Sequence, residues 1–403
     1  MKQVIIIITT IVAINMFSMS KAFAESDNNP PTLVSEAAIM IDSKTGRVLY
    51  DKNENKQMYP ASLTKIATAV YAIETGNLDD IVTVSEKARN AEGTSVYLEE
   101  GEQVTLKKLI QGLLINSGND AGVAIAEHLS GSVKQFSSDI NKYLKNVIGV
   151  QNTHFENPHG LFDPNHVTTA KDLVKITQYA MKNETFREIF GTKKLKWNGA
   201  SWDTTLITHH KLMRQIPYKG ITGGKTGFVN QSGFTLATTA ERKNLSLIVI
   251  TLNSYIQSAA YNDTTNLLDY GFENFETSSI SKGATFSLGE QKYMAPKRIP
   301  YTHSLNEQVS KKVIDNGSLE VTNEAGNVIA SYPLNKVETE ENVVKQEKIK
   351  EEIIANKDAK TSSMVGGHFL EFIFMLFITV LSIAGIIYHI RQLVKKVNTS
   401  NGG

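Results

Sequence analysis

Residues 59–76 read Tyr59-Pro60-Ala61-Ser62-Leu63-Thr64-Lys65-Ile66-Ala67-Thr68-Ala69-Val70-Tyr71-Ala72-Ile73-Glu74-Thr75-Gly76. The stretch predicts a helix, with Pro60 near its first turn and Gly76 as its C-cap. Ile66, Ala69, Val70 and Ile73 recur at helical spacing, so at least one face is buried. Ser62 and Lys65 are one turn apart on the same side. A serine at a helix start sits where free N–H groups and the helix dipole favour negative charge. A lysine one turn on can take its proton if something depresses the amine's pKa. Spacing alone does not establish the pair, because Ser-x-x-Lys recurs at Ser18/Lys21 and Ser279/Lys282. A helix-start serine beside a surface lysine is the plain alternative.

Downstream, Leu106, Leu109, Ile110, Leu113 and Leu114 mark an amphipathic helix that stops at Asn116-Ser117-Gly118-Asn119-Asp120. A small-residue helix, Ala121 to Leu129, follows at once, so Ser117 and Asn119 lie on a tight bend able to face one cavity. Asn157-Pro158-His159-Gly160 is a loop, and a helix runs from about Thr169 to Met181. Gly223-Gly224-Lys225-Thr226-Gly227-Phe228-Val229 predicts a strand, and Gly233–Ala240 with Leu245–Leu252 a long antiparallel hairpin. The flanking glycines let a ligand's backbone approach closely, which suits an extended peptide docked along a sheet edge. An earlier Lys44-Thr45-Gly46 lies in the turn of a hairpin spanning Ala37–Tyr50, where glycine is a turn residue. A closing helix is expected from Ser258 to Tyr270. Early strands, a helical middle and late strands that join the first hairpin define an α+β domain over residues 25–276.

The ends and the remainder are simpler. Lys2, the apolar run Val4–Met16 and Ala22-Phe23-Ala24 read as a signal peptide over residues 1–24. Residues 277–335 carry short β-like runs with turns at Asp315-Asn316-Gly317 and Glu324-Ala325-Gly326-Asn327, a small β module. Residues 336–363 are a Lys/Glu-rich linker or stalk. Within residues 364–403, Phe369–Ile390 is long and apolar enough to span a bilayer. Arg391, Lys395 and Lys396 follow it, so the positive-inside rule places the C-terminus in the cytoplasm and the catalytic part outside, as a single-pass cell-membrane protein. With 42 Lys+Arg against 41 Asp+Glu, the net charge of +1 gives no basis for a nucleic-acid partner. The chain has no cysteine, which excludes disulfides and thiol catalysis.

Ser62-x-x-Lys65, Ser117-x-Asn119 and Lys225-Thr226-Gly227, in that order, resemble the signature of the serine D-alanyl-D-alanine carboxypeptidases, the low-molecular-mass penicillin-binding proteins of peptidase S11 type. The resemblance covers most of residues 30–276, including the Asn-Pro-His-Gly-Leu loop and Leu268-Asp269-Tyr270-Gly271-Phe272. It implies a β-lactamase/DD-peptidase-like transpeptidase fold, with an antiparallel sheet and a helical subdomain. It also implies removal of the terminal D-Ala from peptidoglycan stem pentapeptides, and covalent inhibition by β-lactams. Carried over by the match, Ser62 would be the nucleophile and Lys65 its base. Ser117 would relay the proton to the leaving amine, and Asn119 would hold the substrate backbone and orient Lys65. Lys225 and Thr226 would bind the substrate's terminal carboxylate. Beside Gly227, the N–H groups of Ser62 and Phe228 would form an oxyanion hole, each donor worth about 3–4 kcal/mol. No metal or other cofactor is expected.

Phe228 departs from the family pattern, since many relatives carry a basic or hydrogen-bonding side chain there, and Arg214 is only a weak candidate for an added carboxylate-binding arginine. Three rivals remain from sequence: a secreted β-lactamase, with Glu156 in the region of its deacylating carboxylate; a D,D-endopeptidase using the same acyl-enzyme; and a non-catalytic wall-binding protein.

Overall fold

A computed structural model describes residues 29–337 and 371–391. The signal peptide over 1–24, nearly all of the 336–363 linker and the basic tail beyond Arg391 lie outside the described residues.

The frame of the molecule is a five-stranded antiparallel sheet. Its first hairpin is β1 (Ala37–Asp42) and β2 (Val48–Lys52). A 3-10 turn, Ala61–Leu63, then enters helix α1 (Thr64–Thr75), which ends on Gly76. The helical part follows. Strands β3 (Ile81–Thr83) and β4 (Gln103–Thr105) pair across the short helix α2 (Glu86–Arg89). Helices α3 (Leu106–Ile115) and α4 (Asn119–Ser130) meet at the Asn116–Gly118 bend, and α5 (Val133–Tyr143), α6 (Ala170–Ala180) and α7 (Glu184–Phe190) complete the layer. The hairpin of β5 (Lys194–Asn198) and β6 (Asp203–Ile207) and the short helix α8 (Lys211–Arg214) lead back to the sheet. There β7 (Ile221–Val229), β8 (Gly233–Arg242) and β9 (Leu245–Ser254) run antiparallel, and α9 (Gln257–Asn274) follows.

The order β2-β1-β9-β8-β7 places the last strand in sequence beside the first hairpin. The near-continuous apolar run of β9 has a direct cause: both faces of the central strands are covered. Ile248, Ile250 and Leu252 join Ile39 and Ile41 in the core shared with the helical layer, while Leu247 and Val249 join Met40, Leu267 and Leu268 beneath α9. Strand β7 is left at the edge.

Between β3 and β4, Ser85 caps α2, and Thr105 at the end of β4 caps α3, each through its side-chain oxygen. Beyond α9, β10 (Phe275–Ile280) pairs with a later strand, Ile299–Ser304, and the Thr277 and Thr302 hydroxyls both donate to the buried Asp42 carboxylate. A three-stranded sheet of Ser310–Val313, Ser318–Thr322 and Val328–Pro333 turns at the two glycine-containing corners expected from sequence. These strands belong to the same compact unit as the large sheet. A second unit holds the small sheet of Thr285–Leu288, Gln291–Met294 and Asn335–Lys336. It also holds the helix Glu371–Arg391, 21 residues with mean hydropathy 2.3, or about 31 Å of rise.

Candidate active site

Ser62 lies in the 3-10 turn ahead of α1, with Pro60 as its N-cap and Lys65 in the first turn of the helix proper. The turn is held from several sides. Ala61 adopts a left-handed φ of 48°, uncommon for a residue with a side chain. Its carbonyl accepts from Thr64 Oγ1 at 2.9 Å, and the Pro60 carbonyl accepts from Thr235 Oγ1 on β8 at 3.0 Å. Thr64 Oγ1 also lies 2.8 Å from His166 Nε2. His166 Nδ1 accepts from the Glu156 N–H, so its proton sits on Nε2 and is donated to Thr64. Burial pushes the His166 pKa down to about 3, which keeps this neutral tautomer at neutral pH.

Lys65 is fully buried, and its Nζ has three neighbours: Ser62 Oγ at 2.9 Å, Asn119 Oδ1 at 2.7 Å and the His159 carbonyl at 2.8 Å. The last two can only accept. A neutral amine has two N–H bonds and one lone pair. With both N–H bonds committed to these acceptors, the lone pair is left facing the Ser62 hydroxyl. Burial, then repulsion from Lys225, holds the Lys65 pKa well below the usual lysine range, against an opposing pull from Asp120. The arrangement is that of a general base aimed at a nucleophile.

The second cluster arrives from the α3–α4 bend. Ser117 takes a left-handed φ of 64°, the kind of backbone strain that persists only where surroundings over-determine it. Its Oγ is 3.2 Å from Ser62 Oγ and accepts from Lys225 Nζ at 3.0 Å. Asn119 donates its amide to the Glu92 carbonyl at 2.6 Å, so its oxygen is free to turn toward Lys65. The third cluster comes from edge strand β7. Lys225 is 3% exposed and also donates to the Thr226 carbonyl at 2.8 Å; burial lowers its pKa to about 7. A Cβ on Gly227 would stand 2.8 Å from the Ser62 nitrogen, so only glycine lets β7 and the serine turn approach this closely. The three clusters, far apart in the chain, therefore share one hydrogen-bonded site.

An open cleft of about 260 Å³ begins at Ser62 and Ser117 and passes Thr226, Gly227 and Phe228. Phe228 is 52% exposed and packs against Phe234 with ring centroids 4.6 Å apart and the planes tilted by 35°. Arg214 donates from Nε to the Thr208 carbonyl, and His209 lines the cleft instead. Glu156 is hydrogen-bonded to His154, and among the described residues no carboxylate lines the cleft. Among the described residues no group of His, Cys, Asp and Glu could hold a metal ion.

Sequence reasoning missed the supports. Asp120, fully buried, accepts from the N–H groups of Val96, Leu98 and Ala121 and from the Ser95 hydroxyl, which anchors the loop whose Thr94 carbonyl takes the Asn119 N–H. Its signal was an acidic residue immediately after a polar bend and ahead of an apolar helix. The Asn157-Pro158-His159-Gly160 loop supplies two main-chain acceptors, Pro158 to Thr68 and His159 to Lys65, while Asn157 Oδ1 caps the Gly160 N–H at 2.7 Å.

A serine hydroxyl aimed at a buried lysine, bridged by a second serine to another lysine at a sheet edge, on an α+β frame, defines an active-site serine acyl-transfer enzyme. The chain belongs to the peptidase S11 family, the D-alanyl-D-alanine carboxypeptidases, whose profile matches residues 24–255. It is 34% identical over 273 residues to the D-alanyl-D-alanine carboxypeptidase DacF of Bacillus subtilis, covering 65% of this chain and 69% of that protein. Against the DacA enzyme of Haemophilus influenzae the identity is 33% over 291 residues, covering 67% and 70%. The crystal structure of penicillin binding protein 5 from Haemophilus influenzae superposes with a TM-score of 0.68 at 27% identity, over 77% of this chain and 98% of that one.

Proposed function

We infer that this chain is a serine D-alanyl-D-alanine carboxypeptidase that removes the terminal D-Ala of peptidoglycan stem peptides through an acyl-enzyme on Ser62. The observation that carries the reading is the Lys65 amine, 2.9 Å from Ser62 Oγ, with its other two neighbours able only to accept. Lys65 takes the serine proton as Ser62 Oγ bonds to the penultimate D-Ala carbonyl carbon. The amide C–N bond then breaks, and Ser117, braced by Lys225, passes a proton to the departing amine. Lys225 and Thr226 hold the terminal carboxylate, the charge that distinguishes an exopeptidase substrate. Asn119 fixes Lys65 and meets the substrate backbone. The oxyanion is stabilised by the N–H groups of Ser62 and Phe228, whose side chain lies to the cleft side of that contact. Because no carboxylate lines the cleft among the described residues, β-lactam acyl-enzymes are expected to hydrolyse slowly.

The helix Glu371–Arg391 serves as the membrane anchor, with the basic residues after it in the cytoplasm and the catalytic domain, residues 25–276, outside. The module at 277–335 and the charged linker at 336–363 lie between enzyme and anchor in sequence and carry it toward the wall polymer.

Mass spectrometry after exposure to penicillin, and then to a peptide ending in D-Ala-D-Ala, tests the enzyme. A lasting adduct on Ser62 with one D-Ala released per turnover is expected. Ser62→Ala removes both while the thermal melt is retained. Label that persists in that variant would sink the nucleophile assignment.

A further inference from the structure

The Ala61 carbonyl and the Ser62 N–H belong to one peptide unit. A trans unit is planar, with its C=O and N–H pointing in opposite directions, so whatever fixes the carbonyl also aims the N–H. The backbone here is strained, because Ala61 holds a left-handed φ of 48° and such a conformation persists only where its surroundings over-determine it. Two side chains do so, one on each side of the residue. Thr235 Oγ1 donates to the Pro60 carbonyl at 3.0 Å, and Thr64 Oγ1 donates to the Ala61 carbonyl at 2.9 Å, beside the Thr64 N–H. The Ser62 nitrogen itself stands against β7 at Gly227, one residue before Phe228.

Thr64 has a single hydroxyl proton, and it is directed at the Ala61 carbonyl. Its oxygen therefore accepts from His166 Nε2, 2.8 Å away. The other ring nitrogen sets the direction of that bond: His166 Nδ1 accepts from the Glu156 N–H at 3.0 Å, which leaves the ring proton on Nε2. The imidazole is stacked on buried Phe155 with centroids 4.8 Å apart, and the paired backbones of His154 and Val167 close the loop around it. His166 is 2% exposed and forms no part of the cleft wall. A directed chain thus runs from the Glu156 N–H through His166 and Thr64 to the Ala61 carbonyl.

We propose that His166 is a positioning residue for the oxyanion hole: acting through Thr64, it holds the Ala61–Ser62 peptide unit so that the Ser62 N–H faces the developing oxyanion. The proposal rests on the reading above, in which the Ser62 and Phe228 N–H groups are the oxyanion donors. Its consequence is specific. Donors aimed at the oxyanion stabilise the tetrahedral state and not the bound ground state. Loss of the His166 donor should therefore lower kcat and leave KM nearly unchanged.

The test uses the full-length, detergent-solubilised enzyme and a peptide ending in D-Ala-D-Ala. His166→Phe keeps a ring against Phe155 and has no donor. Its kcat is expected to fall by about 10- to 100-fold, because a misaimed donor costs less than the roughly 100- to 1000-fold of a deleted one. A peptide boronic acid, which places a tetrahedral boronate on Ser62, should lose affinity by the same factor. His166→Gln carries an N–H the same number of bonds from Cβ as Nε2 and should recover most of the loss. His166→Asn, one bond shorter, should not. Should phenylalanine disturb the fold, as read from the thermal melt, Thr64→Val breaks the chain at its next link and should give the same split. Thr64→Val added to His166→Phe should cost nothing further, since both cut one chain. The proposal is overturned by a folded His166→Phe with the parent's kcat, by a loss that falls on KM instead, by undiminished boronate affinity, or by a Gln variant no better than Asn. If the parent itself releases no D-Ala and takes no boronate, the carboxypeptidase reading fails instead.

Discussion

Among the described glycines, Gly160 is the one at which an added methyl group would press hardest on the Ser62 turn. Its φ is +88°, and a Cβ built there would stand 1.8 Å from the Ala61 carbonyl oxygen, 2.4 Å from its carbon and 2.9 Å from Thr64 Oγ1. Ordinary contact begins at 3.4 Å, so the two backbones must part by about 1.6 Å (3.4 − 1.8) in Gly160→Ala. Two responses are open to the chain. The serine turn can move, carrying Ser62 from Lys65, or the loop can move, withdrawing the His159 carbonyl that fixes the Lys65 amine. Since misplacement of reacting groups by about 1 Å costs on the order of 100-fold, acylation should slow by at least that factor. Stability should fall by about 2–5 kcal/mol, from about 1–2 for the left-handed backbone and about 1–3 for overpacking. Gly131→Ala separates the two effects: its φ is +76°, but nothing lies within 4 Å of an added Cβ. That variant should lose only the backbone share, about 1–2 kcal/mol, and acylate normally. The assays are the second-order rate of labelling by a fluorescent penicillin and urea unfolding. Acylation by Gly160→Ala within three-fold of the parent would refute the reasoning.

Two further predictions concern the buried charges. Lys225 has a pKa of about 7 when folded, and Lys65 is also lowered, both by burial first. Free lysine titrates near about 10.4, so between about pH 7 and 10 the unfolded chain binds more protons and stability rises with pH. Lys225→Met should therefore flatten the stability-versus-pH slope by up to about 1.4 kcal/mol per pH unit in that window, read from urea midpoints; parallel curves for the two proteins would argue against a depressed Lys225. Asp120→Ala strands the Val96 and Leu98 N–H groups in the interior and removes the anchor of the Thr94 loop. A loss of about 3–5 kcal/mol is expected, and a change in unfolding free energy below about 1 kcal/mol would show that the loop holds itself.

The elements were legible where periodicity was strong. Helix α3 announced itself through Leu106, Leu109, Ile110, Leu113 and Leu114, and the β8–β9 hairpin through two apolar runs separated by Arg242-Lys243-Asn244. The short β3–β4 pair did not, because three-residue strands carry too little pattern to separate from loop. The candidate residues themselves were visible as residue types at fixed spacing: Ser62 and Lys65 three apart, Ser117 and Asn119 across one bend, Lys225 and Thr226 within a strand.

What those residues can do was decided by packing between segments far apart in sequence. Lysine is ordinarily a solvated cation; the Lys65 pKa is lowered because α1, α4 and the 157–160 loop enclose it, and its Nζ faces the Asn119 Oδ1 and His159 carbonyl acceptors. The two Lys-Thr-Gly copies show the same division. Lys44 sits in an exposed turn paired with Glu241, whereas Lys225 is drawn under the cleft onto Ser117. Identical local sequence met different surroundings, and desolvation, a property of the assembled fold and not of any tripeptide, set the chemistry of each.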